Sequence, residues 1–123
     1  MTVRRPSENE EWVSNRVEGW VETYKKSMLT PVILSVISRH SQASVVEVAE
    51  RVATETGWQV TERGLYRTLK RLEDSGLLVS TEVAAARTGA KRKQIQLTNL
   101  GTRFLAGVTA NLVKLPPGET PGR

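Results

Sequence analysis

A mainly α-helical fold carrying one small β-hairpin is what this sequence predicts, and three observations predict it. Apolar residues recur at spacings of three and four through most of the chain, the rhythm of helices with one buried face. Two short stretches break that rhythm: 77–83 is rich in β-branched residues, and 93–97 (Lys-Gln-Ile-Gln-Leu) alternates polar with apolar, as strands do. Serine, threonine and glycine stand where helices start and stop.

The first helix is expected over about 8–26. Val13, Val17, Trp20, Val21, Tyr24 and Met28 form one apolar stripe. Glu8, Glu10 and Glu11 open it and Lys25 and Lys26 close it, which complements the helix dipole. Thr30-Pro31 then reads as a fresh start, a capping hydroxyl followed by proline at the first helical position. Leu29, Val32, Ile33, Leu34, Val36 and Ile37 are apolar on most sides, so this second segment is the expected central core helix.

Ser44-Val45-Val46-Glu47 is a capping box, with Val48, Val52 and Ala53 continuing at helical spacing to a stop at Gly57. Thr61 caps the next helix, which runs to about Ser75 with Gly76 after it. Leu65, Leu69 and Leu72 form its inner face, and Arg63, Arg67 and Lys70 its outer one. The two strands follow, joined by a loop carrying Arg87, Gly89, Lys91 and Arg92. Thr98 caps a last helix with Leu100, Phe104, Val108 and Leu112 on one face, and Pro116-Pro117 ends it.

The composition limits the function classes. The 123 residues suit one domain with an appended element. No cysteine is present, which excludes disulfides and thiolate-held metals. No segment approaches the roughly 20 apolar residues of a membrane span, and the first residues lack the apolar core of a signal peptide. A soluble, cytoplasmic protein is expected, with no membrane partner. Lys and Arg number 18 against 13 Asp and Glu, a balance that favours a polyanion. The excess is local: residues 63–103 carry nine basic residues against Glu73, Asp74 and Glu82, while residues 1–26 carry five of each sign.

The order helix, helix, turn, helix, strand, basic loop, strand, helix is that of a winged helix-turn-helix. A helix entering the major groove must be apolar behind and cationic in front, and residues 61–75 meet that demand. The expected DNA contacts are Thr61, Glu62, Arg63, Tyr66, Arg67 and Lys70 from this helix, with Arg87, Lys91, Arg92 and Lys93 from a wing over about 84–93. Glu62 either caps or orients Arg63 or accepts a hydrogen bond from a cytosine amino group. Tyr66 either packs beside Leu65 and Leu69 or extends its hydroxyl outward. The expected divisions are a tail over 1–7, an N-terminal dimerisation helix over 8–27, the DNA-binding domain over 28–98, a C-terminal helix over 99–114 and a tail over 115–123.

Leu65-Tyr66-Arg67-Thr68-Leu69-Lys70-Arg71-Leu72-Glu73 followed by Gly76-Leu77-Leu78 resembles the recognition helix and first wing strand of the PadR-like family. Arg92-Lys93, Leu97-Thr98 and Gly101 resemble its second wing strand and final helix, and Leu29–Leu34 its first core helix. The likeness spans about 27–112. Ala43-Ser44-Val45 and Glu62-Arg63-Gly64 depart from the family's usual Gly-Tyr and Pro-Gly-Thr at those places. The resemblance implies a dimeric prokaryotic repressor acting on double-stranded DNA at the nucleoid, with a tyrosine at position 66 reaching the DNA backbone.

Other residues have plainer explanations. Trp12, Trp20 and Tyr24 suit core or dimer packing, with an aromatic ligand pocket as the sharper alternative. Trp58 suits a wedge between the helix that stops at Gly57 and the one capped by Thr61, rather than a stacking platform. His40, the single histidine, is explained by a helix end, and no nucleophile motif, paired carboxylates or phosphate loop accompanies it. Neither enzymatic activity nor a cofactor or metal is expected. The alternative to a DNA-binding regulator is a winged-helix protein-interaction module with only non-specific DNA affinity. The sequence leaves open whether a small-molecule effector exists.

Overall fold

The computed structural model describes residues 6–84, 89 and 91–118. Four helices and one hairpin follow in order: α1 (Pro6–Arg39), α2 (Val45–Thr56), α3 (Glu62–Asp74), β1 (Leu78–Ala84), β2 (Lys91–Leu97) and α4 (Asn99–Ala110). The mainly helical winged helix expected from the sequence is what forms.

The start expected at Thr30-Pro31 is not one. A single 34-residue helix runs through it, with Pro31 inside. Nothing between Lys26 and Thr30 breaks a helix, and a proline removes one amide only. The carbonyl left without that partner belongs to Ser27, an exposed residue, where solvent can satisfy it. The stretch from 28 to 37 is therefore the inner end of the same rod whose outer end carries the tryptophans.

The caps form as their sequences indicate. Ser44 Oγ accepts the Glu47 amide at 3.2 Å, and the Ser44 amide donates to Glu47 Oε1 at 2.8 Å. Gly57 closes α2 at φ 79°, a left-handed conformation that costs glycine little. Thr61 Oγ1 accepts the Gly64 amide and Thr98 Oγ1 the Gly101 amide, each at 3.0 Å.

The core lies where the inner end of α1 meets α2, α3 and the hairpin base. Ile33, Leu34, Val36, Ile37, Val48, Val52 and Leu65 are fully buried, joined by Leu69, Leu72, Leu78 and Ile95. Each such side chain contributes about 1.5–3 kcal/mol through burial. On the outer side, both guanidinium nitrogens Nη1 and Nη2 of Arg39 donate to Glu55 at 2.8 and 2.5 Å, tying the ends of α1 and α2.

β1 and β2 pair antiparallel, from Leu78 opposite Leu97 to Ala84 opposite Lys91. The Ile95 amide donates to the Ala43 carbonyl at 3.1 Å, so the residue before the α2 cap adds a short third rung to the hairpin base.

Two apolar faces do not enter this core. On α1, Trp12, Val13, Val17, Trp20 and Tyr24 are between 42% and 64% exposed, so core packing is excluded for Trp12 and Trp20. On α4, Leu100 and Phe104 also face outward, while Gly101 and Leu105 turn to the core. The helix docks through its glycine side because the backbone comes closest there, leaving Leu100 and Phe104 of the expected apolar stripe outside while Val108 is half-buried.

Candidate nucleic-acid interface

Helix α3 is amphipathic in the sense the sequence indicates. Leu65, Thr68, Leu69 and Leu72 are buried, and Glu62, Arg63, Tyr66, Arg67 and Lys70 are exposed. Glu62 and Arg63 form the first turn, beyond the Thr61 cap, whose hydroxyl is held by the helix itself. Arg63, Arg67 and Lys70 follow one another along the outer face. Lys70 Nζ is 3.7 Å from Asp74, an exposed pair four residues apart that leaves the ammonium free to exchange partners.

Lys91 and Arg92, expected in the connecting loop, belong to β2 instead, together with Lys93, where the expected strand begins. Polar alternation was read only from Lys93 onward, but Ala84, Val83 and Glu82 on β1 supply backbone partners for all three. The consequence is directional, because neighbours on a strand face opposite ways. Lys93 shares a cleft with α3. Arg92 turns toward α2, where its Nη2 lies 3.9 Å from Glu47 Oε1. Arg87 lies outside the described residues.

A cleft of about 260 Å³ opens between α3 and the hairpin. Val45, Leu69 and Ile95 make its apolar floor, with Tyr66, Arg67, Lys70 and Lys93 above. A second hollow joins Tyr66 to Lys91, Arg92, Lys93 and the start of α2. Tyr66 is 51% exposed and borders both, so its ring packs and its edge remains in solvent. The fold thus gathers five of the expected residues, Tyr66, Arg67, Lys70, Lys91 and Lys93, along one concave surface. Glu62 and Arg63 extend that surface at the α3 N-terminus.

Two carboxylates lie in this region: the sequence reads Glu47 as the capping partner of Ser44 but not as a neighbour of Arg92, and it does not place Glu73. Glu47 is held below the usual carboxylate range, chiefly by the Ser44 backbone amide, then by the Ser44 side chain and by the charges of Arg92 and Arg51. Glu73, on the last turn of α3, accepts a 2.5 Å hydrogen bond from Ser80 Oγ on β1. No local pattern pairs residues 73 and 80, because the turn through Gly76 at φ 86° sets how the strand leaves the helix.

The aromatic residues of α1 meet the turn between α2 and α3. Trp20 stacks on Tyr24 with ring centroids 5.0 Å apart, and Tyr24 meets the edge of Trp58 at 6.1 Å. Trp58 therefore wedges the turn against α1. Among the described residues, no group of three His, Asp or Glu side chains is placed to hold a metal ion, and no helix is long and apolar enough to cross a membrane.

The sequence profile of the Transcriptional regulator PadR-like family matches residues 33–107. No curated protein matches the chain. Among solved structures, a PadR-like transcriptional regulator from Bacillus cereus is similar, with 25% identity, a TM-score of 0.64, and coverage of 72% of this chain and 84% of that one. A PadR-family regulator from Eggerthella lenta has 24% identity and a TM-score of 0.64, with coverage of 81% and 85%. Bacillus subtilis PadR, solved in complex with operator DNA, has 22% identity and a TM-score of 0.62, with coverage of 77% of this chain and 55% of that one. The latter two likenesses concern the fold.

Proposed function

The chain belongs to the PadR-like family of transcriptional regulators, and from that premise we propose that it is a sequence-specific DNA-binding repressor working as a homodimer. In this reading α3 is the recognition helix and the β1–β2 hairpin the wing. The observation that carries it is the single concave basic surface on which Tyr66, Arg67, Lys70 and Lys93 converge from two elements. A duplex that takes α3 into its major groove brings the intervening sugar-phosphate strand across the cleft beside the wing. Arg63, Arg67 and Lys70 then face base edges. Lys91, Lys93 and the Tyr66 hydroxyl face phosphates, which set position and register. Arg92, which faces α2 beside Glu47, contributes by charge.

The dimer rests on the two outward apolar faces. Five large side chains of α1 and two of α4 are left in solvent by a single chain, more than an isolated surface normally leaves together. A second copy meets the same stripe by two-fold symmetry, without requiring any other partner. Two recognition helices about 34 Å apart would then read a palindromic operator. A cytoplasmic location at the nucleoid follows from that role.

The test is fluorescence anisotropy with duplex DNA from immediately upstream of the protein's own coding region, beside a scrambled duplex, at two salt concentrations. Selective binding that survives the higher salt is expected. Equal, salt-sensitive binding to both duplexes would leave only phosphate attraction, and the protein-interaction reading would replace this one.

A further inference from the structure

Resting on the DNA-binding reading above, we propose that Glu73 is a positioning residue: hydrogen-bonded by Ser80, it braces the wing against the recognition helix. The two elements then meet one duplex at a fixed angle.

The hairpin is anchored mainly at its base. Leu78 and Ile95 are buried there, and the Leu77 amide donates to the Leu72 carbonyl at 3.0 Å. Beyond the base, Thr81, Glu82, Ala84 and Lys91–Lys93 are exposed. The seven-residue strand from Leu78 to Ala84 is a lever about 20 Å long, so a swing of roughly 10° at the base moves its end by about 3–4 Å. That shift exceeds the tolerance of a hydrogen bond. A wing whose lysines must reach phosphates while α3 lies in the groove therefore needs a second fixed point.

Two side-chain contacts supply candidates for that point. Arg92 lies 3.9 Å from Glu47, and both groups are about half exposed, a pair of the kind that contributes little. Glu73 and Ser80 are both partly buried, and the 2.5 Å hydroxyl-to-carboxylate hydrogen bond is of the short, charge-assisted kind. Ser80 pairs with Ile95 on β2, so the brace acts on both strands where the hairpin leaves the core. Glu73 also shares the cleft with Arg67, Lys70 and Lys93. A lone carboxylate there opposes phosphate attraction, which makes a purely electrostatic aid to binding an unsuitable account of it.

The experiment compares Ser80→Ala, Ser80→Thr and Glu73→Gln in the full chain. It reads affinity for operator and scrambled duplexes at two salt concentrations, thermal stability, and amide hydrogen exchange without DNA. Ser80→Ala is expected to lower operator affinity about tenfold through loss of a hydrogen bond to a charged group, with scrambled-duplex affinity unchanged. Exchange should rise along β1 and β2 and stay constant in α3. Ser80→Thr keeps the hydroxyl and should behave as wild type. Glu73→Gln keeps an acceptor but loses the charge, and should fall between the two. Wild-type operator preference and exchange in Ser80→Ala would overturn the proposal. So would equal weakening on both duplexes in step with lost thermal stability, or failure of Ser80→Thr alongside Ser80→Ala. If the wild-type protein prefers no operator, the regulator reading falls by itself, and hairpin exchange still decides whether the pair is a brace.

Discussion

A side chain on Gly101 would overlap the carbonyl oxygen of Leu77. The first turn of α4 is thus pressed backbone to backbone onto the entry to the hairpin. Thr98, its cap, strengthens the same joint, donating its hydroxyl to the Gly76 carbonyl at 2.6 Å and its amide to Leu77 at 3.1 Å. Gly101→Ala must therefore move α4 or the strand entry, and should destabilise the protein by about 1–3 kcal/mol. Gly107, on the same helix, meets nothing within 4 Å of where a Cβ would stand. Gly107→Ala should be neutral or stabilising by roughly 0.5–1 kcal/mol through helix propensity. Chemical denaturation of both variants checks this, and equal stability for the two would refute the close-approach argument.

The periodicity and capping residues make α2, α3 and the start of α4 legible in the sequence, because those signals are local. Ser44 with Glu47, Thr61 and Thr98 each satisfy amides within three residues of themselves. Pro31 misled for the same reason. Locally it resembles a helix start, yet a proline also fits inside a long helix whose orphaned carbonyl is exposed. Lys91 and Arg92 are legible as charge but not as strand, since their pairing partners sit seven and nine residues away on β1. The contacts Glu73–Ser80, Arg92–Glu47 and Gly101–Leu77 join different elements, and only the packed geometry brings them together.

Arg67 and Lys91 should fail differently. Arg67 stands on the α3 face proposed to meet base edges, so Arg67→Ala should cost about 1–3 kcal/mol on the operator and relax the choice of sequence there. Lys91 stands on the exposed end of β2 and is proposed to meet a phosphate. Lys91→Ala should weaken all duplexes alike and reduce the slope of log affinity against log salt by about 0.9. Anisotropy across a salt series separates the two outcomes. A sequence-selective loss from Lys91→Ala, or an undiminished operator affinity with Arg67→Ala, would reverse these assignments.

Stability should fall in acid through two identified carboxylates. Glu47 is held low by the Ser44 amide first, and Glu55 is held low by its hydrogen bond from Arg39 first. For a group whose folded pKa is depressed, the stabilisation is complete above the unfolded value, near 4.5 for both residues, and is lost as pH falls through the folded value. Glu47→Gln keeps an oxygen for the Ser44 amide but cannot titrate. It should be less stable than wild type at neutral pH, with the gap closing below about pH 4.5. Denaturation midpoints at several pH values read this directly, and a constant gap across that window would remove Glu47 from the acid response.

Val17 offers the cleanest test of the dimer, because it is 52% exposed on α1 and lies midway along the outward stripe, between Val13 and Trp20. In a single chain a glutamate there would stand in water at little cost. Across a two-fold contact it would face apolar groups and a second copy of itself, and an unpaired buried charge is strongly unfavourable. Val17→Glu should therefore leave the fold intact by circular dichroism while shifting sedimentation equilibrium from dimer to monomer. The concentration dependence of the wild-type melting temperature should disappear in the variant, since that dependence comes from mass action. Operator binding should weaken toward that of a single half-site, while the α3 surface remains unchanged. A wild-type protein that sediments as a monomer would refute the dimer, and a Val17→Glu variant that remains dimeric would move the contact away from α1 to the α4 face of Leu100 and Phe104.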